Sequence, residues 1–243
     1  MLLKDKVALV PGASRGIGRA ISLRFAAEGA NLIVCARTKS QIEALAEEIR
    51  AGGRECLGVV AAVDNETDVN RMVEEGLAKF GRIDILVNNA GISNPKPFLE
   101  TTMGDWDEAL NVNLKGIILC TRAVLPDMLR RGAGNVINIA SGAGLRGLPG
   151  STAYAASKAA AIALTQALGD ELLGTGIRMN VVCPGPVRSE LLDRSAVKSF
   201  VVGSNPATVL EIEDVVGTVL FLASDLSGRL SSQIIVVRSN NRW

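Results

Sequence analysis

The chain has 243 residues, with 26 Lys and Arg against 25 acids, a balance that gives no argument for a nucleic-acid or acidic membrane partner. Apolar residues make up 48%, ample for a large core, and α/β domains of this length commonly fold as one unit. Aromatics are only 3%, so Val, Ile, Leu and Ala must fill that core. There is no histidine, and Cys35, Cys56, Cys120 and Cys183 are scattered without a CxxC pair. A zinc or iron site would lack its usual ligands, and buried free thiols in a reducing cytoplasm fit better.

The start, "MLLKDKVALVPG", has an early charge pair and a short apolar run, so it reads as a first strand over 6–10 and not as a signal peptide. A helix over 17–29 follows, then a strand over 31–36 and a helix over 40–53 closed by a glycine pair. "CLGVVAAV" is the third strand, 66–80 a helix and 82–88 the fourth strand. A long helical region spans about 105–131, a strand covers 135–141 and a helix 152–173. Strand 177–183, helix 212–224 and strand 233–237 complete the order. No stretch approaches a membrane span. Strands apolar along their whole length, alternating with helices, imply a parallel sheet covered on both faces. Right-handed crossovers make it doubly wound, a single-domain Rossmann fold of seven strands over 1–243.

"VPGASRGIGRA" joins the first strand to the first helix, with Gly12, Gly16 and Gly18 spaced GxxxGxG. Glycine permits positive φ and close approach of a phosphate to the backbone, and the helix start offers N–H groups to a pyrophosphate. Dinucleotide folds that prefer NAD place an acid at the end of strand two. Here "CARTKS" carries Arg37 and no acid before Glu43, and Arg15 lies in the glycine loop. Two guanidiniums suit the 2′-phosphate of NADP(H), which an acid would repel. A pair of solvated arginines is the plain alternative.

The one tyrosine, Tyr154, is followed four residues later by Lys158, so both lie on one helix face. A phenol is a poor acid–base catalyst alone, and a nearby ammonium lowers its pKa toward the working range. Ser141 lies 13 residues upstream, "NNAG" (88–91) follows strand four, "NVN" (111–113) sits in the next helix and "PG" (184–185) follows strand six. Together with "GASRGIG", these make the chain resemble the short-chain dehydrogenase/reductase family over about residues 4 to 237. The resemblance implies Tyr154 as the general acid–base, with Lys158 binding the nicotinamide ribose and depressing the Tyr pKa. It also implies Ser141 on the substrate oxygen and Asn113 holding a water in the proton relay. For the cofactor it implies Gly12, Ser14, Arg15, Gly16, Ile17 and Gly18 at the phosphates, and Val63 beside the adenine. Asn88 and Gly91 would line the adenosine and ribose side, with Pro184, Gly185, Val187 and Ser189 flanking the nicotinamide. The chemistry is hydride transfer between NADP(H) and a carbonyl or secondary alcohol.

The sequence departs from the family pattern in places. Pro11 stands where Thr is usual before the first glycine. Ala62 replaces a polar residue at the adenine, with Asp64 two positions late. "SSQIIVVRSN" (231–240) replaces an end with Asp and two glycines, putting Arg238, Ser239 and Asn240 there. Family members often pack this tail in a tetramer interface, so a cytoplasmic homo-oligomer is implied while the altered tail bears on its assembly. The segment at about 186–210 is the expected substrate lid, with Leu191, Leu192, Val197, Phe200, Val201 and Val202. An apolar lid favours a bulky or hydrophobic substrate, and ordinary docking of a loop on the sheet edge is the alternative. Within the family the chain most resembles 3-oxoacyl-acyl carrier protein reductases, on "GASRGIG", Arg37 and length. Arg130 and Arg131 could form a basic rim for a carrier protein, although "GTG" (174–176) lacks a basic residue often found there. A general NADPH-dependent carbonyl reductase or secondary alcohol dehydrogenase is a second reading. A regulatory or scaffold protein with vestigial catalysis is a third, opposed by the complete Ser–Tyr–Lys–Asn set.

Overall fold

A computed structural model gives the fold and describes residues 1–189, 192 and 209–239. Seven parallel strands form one sheet in the order β3-β2-β1-β4-β5-β6-β7. They are β1 (Val7–Pro11), β2 (Asn31–Ala36), β3 (Cys56–Val60), β4 (Ile85–Asn88), β5 (Gly134–Ile139), β6 (Ile177–Pro184) and β7 (Ile234–Val237). Helices placed entirely within the described residues include α1 (Gly16–Ala27), α2 (Lys39–Ala51), α3 (Glu66–Phe80), α4 (Met103–Leu110), α5 (Gly116–Arg131), α6 (Ala143–Arg146), α7 (Thr152–Glu171) and α8 (Ile212–Ala223).

Alternate strand residues face opposite sides of a sheet, and the core divides accordingly. Ala8, Val10, Leu32, Val34, Ile137 and Val182 pack on one face against Ile21 and Phe25 of α1, Ile42 and Leu45 of α2 and Val219 of α8. Val7, Leu9, Ile33, Cys35 and Val136 pack on the other against Met72 of α3 and Val124 and Met128 of α5. A strand buried on both faces needs apolar side chains at nearly every position, which is why β1 and β2 read as apolar runs, whereas β6 carries Arg178 and Asn180, which donate to the Leu222 and Leu230 carbonyls. The four cysteines are free and buried.

The doubly wound sheet agrees with the sequence reading, and the boundaries differ where backbone pairing overrides composition. β3 ends at Val60, short of the apolar run through Val63, because β2 ends opposite at Ala36. The helical region near 105–131 is α4, a π-helical turn (Asn111–Lys115) and α5. α6 and a 3₁₀ turn at Phe98–Glu100 had no signal in the sequence. β1 runs one residue further than expected and includes Pro11, which pairs with Cys35. The β1–β2 ladder continues through Pro11, whereas the β1–β4 register covers only Ala8 and Leu9. Proline has no N–H to extend that second ladder. The chain reverses its direction of winding between β1 and β4, and the carboxyl ends of the strands there open into a crevice.

Candidate active site

The crevice widens into a cleft of about 1200 Å³ running from the β2–β3 end of the sheet to β7. At one end lies the glycine loop. Gly12 and Gly16 have φ of +70° and +55°, conformations that cost little only for glycine. A Cβ at Gly12 would stand 2.7 Å from Ala90 Cα, and one at Gly18 would stand 2.5 Å from the Gly12 carbonyl. These two glycines are therefore demanded by the packing of the protein on itself. Gly16 is different, because a Cβ there meets nothing within 4 Å and would project into open space. The first turn of α1 carries neither a side-chain cap nor an acid, so its N–H groups and positive helix end remain available to an anion. Ser14, Arg15 and Ile17 line the same end, as do Arg37, Val63 and Asp64. Asp64 reaches the cleft where Ala62 does not, and the Ala62 N–H instead donates to Asp68.

At the centre, α7 presents Tyr154 and Lys158 to the carboxyl ends of β5 and β6. Lys158 is buried, its Nζ donates to the Ile139 carbonyl at 2.8 Å and it lies 5.8 Å from the centre of the Tyr154 ring. Burial pulls the ammonium down to about 8, because a low-dielectric site disfavours charge. Tyr154 is half-buried at the cleft wall. Desolvation pushes its phenol above the ordinary value, and a hydrogen bond with Ser141 only partly opposes this. The main influences on the phenol in this structure are its burial and Ser141, with Lys158 on the same face of α7. That serine follows β5, its Oγ accepts from Ala143 N–H at 3.1 Å, and Gly142 N–H donates to the Pro184 carbonyl.

Gly91, Pro184, Gly185, Val187 and Ser189 line the cleft with Ser141, Tyr154 and Lys158. A Cβ at Gly91 would stand 3.3 Å from both Lys158 Nζ and Asn113 Oδ1, so this glycine keeps the ammonium accessible. Two expected residues sit elsewhere. Asn88 is buried and donates to Thr121 and Asn138, and Asn138 donates in turn to Thr165. It ties β4 to β5, α5 and α7, and does not line the adenosine side. Asn113 is fully buried, accepts from Ile92 N–H, and donates to the Ile92 carbonyl and to Ser157. Its amide clamps the 92 loop against α7, so a relay water would have to use its main chain in the π-helical turn and not the amide N–H groups.

Residues that the sequence did not single out complete the site. Asn89, next to the chosen Asn88, donates to the Pro11 and Gly12 carbonyls. The second Asn of "NNAG" was the available signal, since strand alternation turns neighbours to opposite sides. Arg146, Leu148 and Val236 line the far end, joined by Arg238 of the altered tail and, of the expected lid, Leu192. The rest of that segment's named residues, Leu191, Val197, Phe200, Val201 and Val202, lie outside the described residues. The stems of the segment are joined, with Arg188 N–H donating to the Leu210 carbonyl and Leu210 N–H to that of Pro186. Arg130 and Arg131 do not rim the cleft. They are at the end of α5 that meets the start of β4, bonded to Asp127, with Arg131 also on Asp84 and the Ile83 carbonyl. Among the described residues there is no cluster that could hold a metal ion, and no helix is long and apolar enough to cross a membrane.

Residues 6–198 match the short chain dehydrogenase family. The chain belongs to that family. It is 40% identical to a 3-oxoacyl-acyl-carrier-protein reductase, FabG, of Staphylococcus epidermidis, over 96% of this chain and 97% of that one. It is 39% identical to a hydroxy(phenyl)methyl-succinyl-CoA dehydrogenase subunit, BbsD, of Thauera aromatica, over 98% of this chain and 96% of that one. Among solved structures it is similar to levodione reductase, with a TM-score of 0.91 and 30% identity over 97% of both chains. It is also similar to an NAD⁺-bound xylitol dehydrogenase, with a TM-score of 0.92 and 29% identity over 99% of this chain and 100% of that one. The protein is therefore an oxidoreductase of the short-chain type, a family that uses a nicotinamide cofactor.

Proposed function

We propose that this chain is an NADPH-dependent reductase of a carbonyl, with a 3-oxoacyl thioester or a related ketone as substrate. The observation that carries the reading is the meeting of Ser141, Tyr154 and Lys158 in the same cleft as the open Gly16 cradle and the uncapped start of α1. Residues 12–18 would hold the pyrophosphate, Arg15 and Arg37 the 2′-phosphate, and Val63 and Asp64 would lie at the adenine end. Gly91 and Lys158 would lie at the ribose, and Pro184, Gly185, Val187 and Ser189 at the nicotinamide. Bound NADPH would supply the hydride.

The chain supplies the rest. Ser141 orients the carbonyl oxygen, and Tyr154 donates its phenolic proton to that oxygen as negative charge develops there. A phenol whose pKa is raised is a stable proton reservoir at neutral pH. Lys158, charged below about 8, stabilises the phenolate left behind. The Asn113–Ser157 hydrogen bond, with Ser157 bonded to the Tyr154 carbonyl, fixes the first turns of α7 under the phenol.

The likeness to FabG favours a thioester, delivered free or on a carrier protein. The likeness to levodione reductase and to xylitol dehydrogenase supports a second reading, a general carbonyl reductase or secondary alcohol dehydrogenase. A cytoplasmic homo-oligomer completes the proposal. The test is a panel of β-ketoacyl thioesters, aryl ketones and ketoses with NADPH or NADH, followed by the reduced cofactor's absorbance. Thioester turnover with NADPH is the expected result. NADH-linked turnover alone would overturn the cofactor assignment, and no turnover anywhere would revive the scaffold reading.

A further inference from the structure

The charge along the cleft is one-sided. Arg15, Arg37, Arg146, Lys158 and Arg238 line it, and among the described residues its one carboxylate is Asp64, at the β3 end. The cations form two groups. Arg37 follows β2 and Arg238 follows β7, five strand spacings apart in the sheet order, or about 24 Å. Arg238 is thus too far away to serve the phosphate assigned to Arg37.

Arg146 and Arg238 instead lie on elements next to those that carry the Ser141–Tyr154–Lys158 group. Arg146 ends α6, which begins two residues after Ser141 and packs its Gly144 on the Lys158 backbone. Arg238 stands beside Gly185, whose N–H donates to the Val237 carbonyl, and Gly142 on the next strand end bonds Pro184. Both side chains are exposed to the cleft mouth, and neither forms an ion pair with a described residue. Leu145, Leu148, Leu192 and Val236 line the same cleft. Two guanidiniums that no described carboxylate neutralises, on a lining that also carries these apolar side chains, suit an anion.

We infer that the substrate carries an anionic group, a carboxylate or a phosphate, that Arg146 and Arg238 hold while its carbonyl meets Ser141 and Tyr154. This rests on the reductase reading above. The anion could belong to the substrate's own acid or to the phosphates of a coenzyme A or carrier arm, and matched probes separate the two. For the carboxylate, acetoacetate, levulinate and 4-acetylbenzoate are compared with their methyl esters. For the phosphate, acetoacetyl-coenzyme A is compared with acetoacetyl-N-acetylcysteamine.

In at least one pair the charged member should have kcat/KM about tenfold or more above the neutral one, the scale of one charge-assisted contact. Arg238→Gln or Arg146→Gln should lower that ratio by about tenfold while KM for NADPH moves less than about twofold. No charged preference in any pair, or a ratio unchanged in both variants, overturns the inference. So does a rise in the KM for NADPH that matches the loss. Should no probe be reduced, the reductase reading fails, and binding decides the inference by itself. The charged probes should then raise the melting temperature of the wild-type protein with NADPH and not that of the Arg146→Gln/Arg238→Gln double variant. Equal shifts in both, or none in either, overturn it.

Discussion

The two ends of the cleft are built by different means. At the β1–β4 end the backbone decides the shape. Gly12 and Gly18 are fixed by contacts with Ala90 and with the loop itself, and Asn89 ties both sides of the crevice. At the β5–β7 end side chains decide it, with Ser141, Tyr154, Arg146 and Arg238 projecting from two strand ends and two helices. A site made of backbone admits few substitutions, whereas side chains can be changed residue by residue. At the second end Ser141 and Tyr154 are residues that the family resemblance implies and Arg146 and Arg238 are not, so the proposed selectivity rests on those two arginines.

The largest effect expected at the first end separates two glycines of the same loop. Gly12→Ala forces a Cβ against Ala90 Cα at a positive φ, and should destabilise the protein by about 2–4 kcal/mol. Gly16→Ala meets no atom, so it should cost only about 1–2 kcal/mol of backbone strain and show its main effect as weaker NADPH binding. Thermal melts with and without NADPH read both quantities. Equal melting temperatures for the two variants would break the distinction between packing glycine and cradle glycine.

Arg37→Asp removes a proposed 2′-phosphate partner and adds a 2′-hydroxyl acceptor. Affinity for NADPH should fall by about ten- to a hundredfold, the equivalent of roughly 1.5–3 kcal/mol for a charge-assisted bond, and NADH should become the better cofactor. If the unmodified protein already binds NADH more tightly, Arg37 is a solvated surface residue.

The second end gives a pH dependence. In the proposed mechanism reduction needs Tyr154 protonated and Lys158 charged. Tyr154 is raised above its usual value and Lys158 lowered to about 8, so the lysine is the first to be lost as pH rises. The kcat/KM for reduction should be level below about 8 and decline above it, approaching about tenfold per pH unit for a single ionisation. A profile that stays level well past that point would remove the Lys158 charge from the mechanism.

Pro11 gives the smallest effect. The sequence raised it as a residue that lacks both an N–H and a hydroxyl to tie the loop. In the fold it is buried in β1, keeps its register with Cys35, and has its carbonyl bonded by Asn89. Much of the missing tie is therefore present. Pro11→Thr should raise stability by less than about 1 kcal/mol and tighten NADPH binding slightly. A lower melting temperature would mean that the loop is built around the proline.

The fold was legible because strands buried on both faces are largely apolar, and helices between them have a different period. Its edges were less so. Nothing in "CLGVVAAV" marks Val60 as the last paired residue, since that limit comes from β2. The Tyr154–Lys158 pair was legible because a spacing of four fixes a shared helix face. The Asn88 and Asn113 assignments were not, because a side chain's direction depends on its strand or turn neighbours. Asn88 turns into the sheet packing, and the Asn113 amide is drawn to the Ile92 backbone. Arg238 was visible as an oddity of the tail, yet its place in the cleft depends on β7, which brings it beside Gly185.

The most direct test of the proposed chemistry is a single turnover. Wild-type protein and Tyr154→Phe are each loaded with NADPH and mixed with a ketone that the wild type reduces, and oxidation of the bound cofactor is timed. The phenyl ring preserves packing and removes only the proton donor, so NADPH should bind both proteins alike. Oxidation in the variant should be slower by about a hundredfold or more, the usual scale for general acid catalysis. Oxidation at the wild-type rate in the variant would show that the proton comes from elsewhere, and would contradict the account at its centre.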